Sequence, residues 1–230
     1  MSLLAEQKQQ RRDRILQAAR RLVAERGFHG LTMRDLAARS RVSVPTLYNL
    51  FGSKRAILLA DAERTVQLLT GALDPQGHDF FDKVLAIYRA GASVITSMPD
   101  YYRQLLYVLA TSGEAHETRH GVESRFIDMM TAILREGQQA KLLATWIDAD
   151  ALSREMWSRY VMALGRWALG ELDADKFLDA SVFGMCMTLL GVARGSAAKR
   201  IETRARQTQA ATVPSTPPTS AAERDREASP

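Results

Sequence analysis

The chain has 230 residues, 46% hydrophobic and 25% charged, which is typical of a soluble globular protein with room for two domains. A single cysteine, Cys186, excludes an internal disulfide framework, and the longest apolar stretch, about a dozen residues, is well short of the roughly 20 that span a bilayer. The net charge of +5 is uneven, because residues 1–60 carry 12 Lys and Arg against 4 Asp and Glu, a net charge of +8. Such a basic segment is most often a solvated face, and it indicates a nucleic-acid partner only together with a DNA-binding motif.

Apolar residues recur at helical spacing along the chain and no alternating strand pattern appears, so the sequence predicts an all-α fold of about nine helices. The first helix is expected from about Leu4 to Arg26 and is ended by Gly27, a suitable C-terminal stop. The N-terminus lacks the charged, apolar and small-residue order of a secretory signal. A cytoplasmic protein without a membrane partner is therefore expected.

The stretch from Thr32 to Lys54 predicts two short helices joined by a tight turn. Its first residue and Ser43 are suitable N-caps, and Pro45 is tolerated in a first turn because its missing N–H has no intrahelical partner there. Leu47 and Phe51 would then point to the core. The residues left facing outward are Val44, Thr46, Tyr48 and Asn49. Two helices with a polar and aromatic tip are typical of a motif that reads DNA.

This stretch resembles the N-terminal motif of the TetR family of bacterial regulators. The matching positions are Thr32, Leu36-Ala37, Val42-Ser43, Thr46-Leu47-Tyr48, Phe51 and Ser53-Lys54. In the turn, Arg41 stands where the family usually has glycine, and a bulky residue forced to positive φ there costs about 1 kcal/mol.

The resemblance implies a homodimer that binds an operator in double-stranded DNA, most often as a repressor relieved by a small molecule. By the same resemblance, the positions expected to contact the DNA groove are Ser43, Val44, Pro45, Thr46, Tyr48 and Asn49, and those expected to contact phosphates are Thr32, Arg34 and Lys54. The family's dimer is held by a four-helix contact from the last two helices of each chain.

Beyond the motif, the sequence predicts a DNA-binding head over residues 1–53, a helical regulatory and dimerisation domain over 54–204, and a disordered tail over 205–230. The last two predicted helices run from about Asp148 to Leu169 and from about Asp173 to Arg204. Both are apolar on more than one face, which favours contact with a second copy. The tail is rich in Thr, Pro, Ser and Ala, with too little apolar surface to offset its ordering entropy.

The regulatory domain holds more aromatic and methionine side chains than a spacer requires, which predicts a pocket for a mainly apolar small molecule such as a fatty-acyl chain, an aromatic or a drug. The candidate contacts are Tyr88, Tyr107, Phe126, Met130, Trp157 and Met162, each of which also fits plain core packing. The sequence predicts no catalytic residue, no cofactor and no metal site. A DNA-binding regulator that responds to no ligand is an alternative.

A second alternative comes from His116-Glu117-Thr118-Arg119-His120, which matches the pattern of zinc hydrolases in which two histidines one turn apart hold the metal. A catalytic zinc needs a third ligand and a closed apolar setting. Neither is evident from the sequence, since the segment follows Ser112 and Gly113 and reads as a polar, solvated connection between helices. The protein is therefore expected not to be an enzyme.

Overall fold

The structure is a computed structural model that describes residues 3–72 and 79–212. Within these ranges the chain forms ten α-helices and no β-strand, as expected for an all-α fold. The helices are α1 (Leu3–Gly30), α2 (Met33–Ser40), α3 (Val44–Phe51), α4 (Lys54–Ala72), α5 (Phe80–Ser97), α6 (Pro99–Thr111), α7 (His116–Gln139), α8 (Ala149–Ala168), α9 (Ala174–Leu190) and α10 (Gly195–Thr208).

The head is formed by α1, α2 and α3 with the start of α4, around a core whose central side chains are fully buried. These include Ile15, Leu22, Leu36, Leu47 and Ile57. The first helix is interrupted at Gly27, which has φ 69° and ψ 170°, and continues as a short turn to Gly30. The predicted stop at Gly27 is therefore confirmed, because this backbone geometry is unfavourable for residues that carry a Cβ.

The regulatory part of the chain packs α5, α7, α8 and α9 around an aromatic core. The aromatic rings in this core make edge, stacked or tilted contacts with centroids 5.5 to 6.3 Å apart, and they belong to Tyr88, Phe126, Tyr160 and Phe177. Helix α4 joins the head to the regulatory part and contacts α1, α6 and α7. Among the helices of the described ranges, none has the length and apolar character needed to cross a bilayer.

The predicted helix from Asp173 to Arg204 is wrong in one respect, because the structure divides it into α9 and α10. Residues 191–194 leave the helix and pair with the segment after α7. Ala144 N–H donates to Val192 O at 2.8 Å, and Arg194 N–H donates to Leu142 O at 2.9 Å. These long-range bonds replace helical ones, which explains why helical spacing alone missed the break.

The predicted start of the tail at residue 205 also needs correction. Helix α10 continues to Thr208, followed by a 3-10 turn at Gln209–Thr212. Ala205 and Thr208 are buried, so this last turn packs against the regulatory part. Residues 213–230, the predicted turn at 74–77 and His78 lie outside the described residues.

Candidate nucleic-acid interface and internal cavity

The turn between α2 and α3 is fixed by short-range hydrogen bonds. Thr32 Oγ1 accepts from Asp35 N–H at 3.1 Å, which caps α2. At the other end, Arg41 has φ 54° and ψ 49°, in the left-handed region, and Val42 N–H donates to Ala37 O at 3.0 Å. The positive φ expected at Arg41 is therefore present, and it turns the chain sharply between the two helices.

Helix α3 presents one edge to solvent and the other to the head core. Ser43 Oγ accepts from Thr46 N–H at 3.3 Å, so Ser43 is the N-cap as predicted. Leu47 is fully buried, whereas Tyr48 is 51% exposed and Asn49 is also exposed. Arg12 on α1 contacts the end of α3, because its guanidinium donates to Leu50 O at 2.9 Å.

Most residues predicted to contact DNA lie at the surface of this head. The exposed ones are Thr32, Arg34, Ser43, Pro45, Tyr48 and Asn49. Thr46 is half-buried, and its hydroxyl lies 2.8 Å from Ser43 Oγ. Val44 is also half-buried and packs against the core, so it faces outward less than expected. That these side chains contact DNA stays a prediction.

Lys54, predicted to bind a phosphate, already has an intramolecular partner. Its Nζ donates to Phe28 O at 2.8 Å and lies 4.4 Å from the centre of the Phe28 ring. Burial, and then the charge of Arg55, lower the pKa of the Lys54 ammonium. An ammonium has three N–H donors, so two remain for a phosphate. Lys54 therefore also secures the start of α4 to the end of α1.

A cavity of about 160 Å³ lies inside the regulatory part, between α4, α5, α6, α7 and α8. Its walls are aliphatic and aromatic, and none of its described lining residues carries a charge. The lining residues with a polar side-chain atom are Thr65, Tyr88, Tyr102, Trp157 and Tyr160. An apolar cavity of about 150 Å³ is large enough to stay dry and to bind benzene.

A buried polar cluster connects one wall of this cavity to the head. Asp61 on α4 is 1% exposed, and Arg20 on α1 donates through Nε to its two carboxylate oxygens at 2.9 and 2.7 Å. Arg20 also donates to Thr65 Oγ1 at 2.7 Å, and Tyr101 on α6 donates to the Asp61 carboxylate. Thr65 lines the cavity, as does Tyr102 on α6.

The charges in this cluster are arranged as an ion pair. Burial lowers the pKa of the Arg20 guanidinium, but the hydrogen bond and charge of Asp61 outweigh that effect and raise the pKa overall. Arg20 therefore keeps its charge at neutral pH. Because Arg20 belongs to the head and Asp61 to α4, this pair links the head to a helix that borders the cavity.

Comparison with known proteins identifies the head. The sequence model described as "Bacterial regulatory proteins, tetR family" matches residues 15–60, which contain α2 and α3 in full. The head therefore resembles the N-terminal domain of the TetR family over these residues. The HTH-type transcriptional regulator UidR of Escherichia coli (strain K12) is 42% identical over 59 residues, which make up 24% of this chain and 30% of UidR. Members of this family are transcriptional regulators and not enzymes.

Solved structures share the fold over most of the chain. SmeT, the repressor of the Stenotrophomonas maltophilia multidrug efflux pump SmeDEF, is 20% identical with a TM-score of 0.64, and the match covers 81% of this chain and 92% of SmeT. A TetR transcription regulator from Haloarcula marismortui ATCC 43049 is 18% identical with a TM-score of 0.68, covering 81% of this chain and 100% of its own. The similarity of the regulatory part is therefore one of fold.

Three of the six predicted ligand contacts line the cavity, namely Tyr88, Phe126 and Trp157. The other three do not. Met130 is fully buried in the core, while Tyr107 on α6 and Met162 on α8 are 59% and 67% exposed. Helical spacing marks apolar positions, but it cannot tell which of several helix faces borders an internal space.

The segment His116-Glu117-His120 begins α7 and is not the loop that was expected. The two imidazole rings are 4.3 Å apart, centre to centre, and both side chains are exposed. Over the part of the chain that the structure describes, no third His, Cys, Asp or Glu joins them as a possible metal ligand. The similarity of the head to transcriptional regulators and this open setting both argue against the hydrolase alternative.

Several residues around the cavity were missed by sequence reasoning. Tyr102 and Tyr160 carry the same aromatic signal as the predicted contacts, and their spacing alone did not distinguish them. Arg20, Asp61 and Thr65 had no visible signal beyond a charged or polar side chain on an otherwise apolar helix face. The lone Cys186 is buried, and burial raises the pKa of its thiol to about 12, so it is no thiolate at neutral pH.

Proposed function

We propose that this protein binds a palindromic operator as a homodimer, represses transcription there, and is released by a small, mainly apolar effector. The observation that carries the proposal is the match to the TetR family over residues 15–60 together with the exposed edge of α3. That edge lies within residues 1–60, which carry a net charge of +8. A two-fold dimer can set two such helices in successive major grooves, about 34 Å apart.

Exposed apolar side chains on α8 and α9 support a dimer. Val161 and Met162 on α8 are 42% and 67% exposed, Leu169 just beyond it is 79% exposed, and Met187 on α9 is 49% exposed. The first three border an open groove along α8 that also includes Gly165. Large apolar side chains grouped in this way mark an interaction surface. A second copy is the occupant we propose for it.

The cavity supports the effector part of the proposal. Its uncharged walls favour an apolar molecule, and its volume of about 160 Å³ suits a compact ring system better than a long acyl chain. An effector that shifts the DNA-binding form from 99:1 to 1:99 must prefer the other form by about 5.5 kcal/mol per dimer. Two cavities in a dimer share this requirement equally.

The proposal is tested by selecting DNA from a random duplex library with the purified full-length protein. We expect enriched sequences to be inverted repeats, with half-sites separated by about one helical turn or a multiple of it. Tyr48→Ala is expected to change the selected bases, whereas Trp146→Ala, an exposed aromatic outside the head, is expected to leave them unchanged. Enrichment of sequences without two-fold symmetry, or no enrichment, would overturn the DNA-binding proposal.

The dimer is tested separately by analytical ultracentrifugation. Met162→Arg replaces an exposed apolar side chain of the groove along α8 with a charged one and is expected to yield monomers with weakened operator binding. A dimer that survives this change and a second one at Leu169 would exclude the α8 surface as the interface.

A further inference from the structure

Tyr160 lies at the centre of the cavity wall formed by α8. It is 8% exposed, and its ring makes an edge contact with Tyr88 at 5.5 Å and a stacked contact with Phe126 at 6.2 Å. Both of these neighbours line the same cavity. The ring of Tyr160 is therefore held firmly, which fixes the position of its hydroxyl group.

The hydroxyl of Tyr160 has no hydrogen-bond partner among the residues that the structure describes. Two other buried tyrosines differ in this respect. Tyr88 donates to Met156 O at 3.4 Å, and Tyr101 donates to Asp61. Because Tyr160 lines the cavity, this unused donor is available to a molecule bound there.

The neighbouring helix leaves room for this hydroxyl. Gly91 on α5 also lines the cavity, and a Cβ at this position would lie 2.9 Å from Tyr160 Oη. Alanine is the better helix former, so glycine in the middle of α5 weakens the helix. The absence of a side chain at Gly91 therefore allows the Tyr160 hydroxyl to lie at the edge of the apolar cavity.

Tyr160 can act there only as a neutral group. Burial raises the pKa of its hydroxyl well above the usual value, so the O–H remains protonated at neutral pH and is available as a donor. No described lining residue of the cavity carries a charge that could compensate an ionic ligand. An uncharged hydrogen-bond acceptor is the group that satisfies this site.

We infer that Tyr160 donates a hydrogen bond to the effector, which is a compact, uncharged, largely apolar molecule that carries a carbonyl or ether oxygen. The inference rests on the proposed effector function of the cavity and specifies which chemical group of the effector is recognised. The apolar walls bind the body of the molecule, and the Tyr160 hydroxyl selects the molecule that presents an acceptor on the α5 side.

Two probes of nearly equal shape test this inference. Acetophenone has a carbonyl oxygen where α-methylstyrene has a methylene group, so the pair differs mainly in one acceptor. Calorimetric titration of the full-length protein is expected to show about tenfold tighter binding of acetophenone, the effect of one hydrogen bond. In Tyr160→Phe the two probes are expected to bind within about twofold of each other. In the control Tyr88→Phe the preference should persist, because that hydroxyl already donates to Met156 O.

The outcomes separate the inference from the proposed function. If both probes bind the wild-type protein equally and Tyr160→Phe changes nothing, the inference is overturned while an apolar effector cavity stands. If neither probe binds at its solubility limit, the cavity is not an effector site and both fail. Melting temperature without probe distinguishes a structural role. We expect Tyr160→Phe to melt at the same temperature or higher, and a loss of several degrees would overturn the inference, since the hydroxyl would then support the fold.

Discussion

The ion pair between Arg20 and Asp61 gives a prediction whose size depends on burial. Asp61 is 1% exposed, whereas 25% of the Arg20 side chain is exposed. Removing one partner of a buried pair costs about 3–5 kcal/mol, because the other charge is left uncompensated. Arg20→Leu leaves the deeply buried carboxylate alone, so we expect a loss near 3–5 kcal/mol in the free energy of unfolding.

The reverse change should cost less. In Asp61→Leu the guanidinium of Arg20 can turn to water, and the main loss is the acceptor of the buried Tyr101 hydroxyl, about 1–3 kcal/mol. Burial raises the pKa of the Asp61 carboxyl despite the hydrogen bonds from Arg20 and Tyr101, so desolvation offsets much of the attraction. We therefore expect Asp61→Leu to restore part of the stability lost in Arg20→Leu.

The assay is urea denaturation of the four proteins at one fixed protein concentration, since a dimer's stability depends on concentration. A matched control is the exposed pair in which Arg154 Nε lies 2.8 Å from Asp150 Oδ2, with side chains 59% and 42% exposed. Arg154→Leu should change the urea midpoint little or not at all. If Arg20→Leu is no more costly than this control, or if the two changes at the buried pair simply add, the reasoning from burial is refuted.

Three further predictions follow from other contacts. Gly91→Ala should lower the melting temperature, because the added Cβ would lie 2.9 Å from the Tyr160 hydroxyl oxygen. In a Tyr160→Phe background the nearest remaining contact is an ordinary van der Waals distance, so the same change should be neutral or stabilising, and equal losses in both backgrounds would contradict this reasoning. Truncation after Arg204 should destabilise the protein, since it removes the buried last turn of α10, and an unchanged melting temperature would show that this turn contributes nothing. Replacing both His116 and His120 with Ala should leave affinity for selected DNA unchanged, and elemental analysis that found one zinc per chain would revive a metal role.

The head could be predicted from the sequence because its signals act over three or four residues. Thr32 and Ser43 cap helices through their own side chains, Arg41 takes the turn between them, and Leu47 follows from helical spacing. Such hydrogen bonds and periodicities involve residues close together in the sequence, so they can be predicted without knowing how the helices pack. The partner that Lys54 finds in Phe28 is an exception, since it depends on how α4 meets α1.

Only the tertiary structure decided where the cavity lies and which side chains border it. Five helices from α4 to α8 enclose it, so its walls join residues that are up to about a hundred positions apart, and no local pattern records that arrangement. Tyr107 and Met162 have the composition of pocket residues, yet they face outward. Tyr160 and Thr65 acquire their roles from partners on other helices, or from the absence of one within the described chain. Packing between distant helices sets which hydroxyls are satisfied, and that is the physical reason why the sequence determined the DNA-binding head but not the chemistry of the cavity.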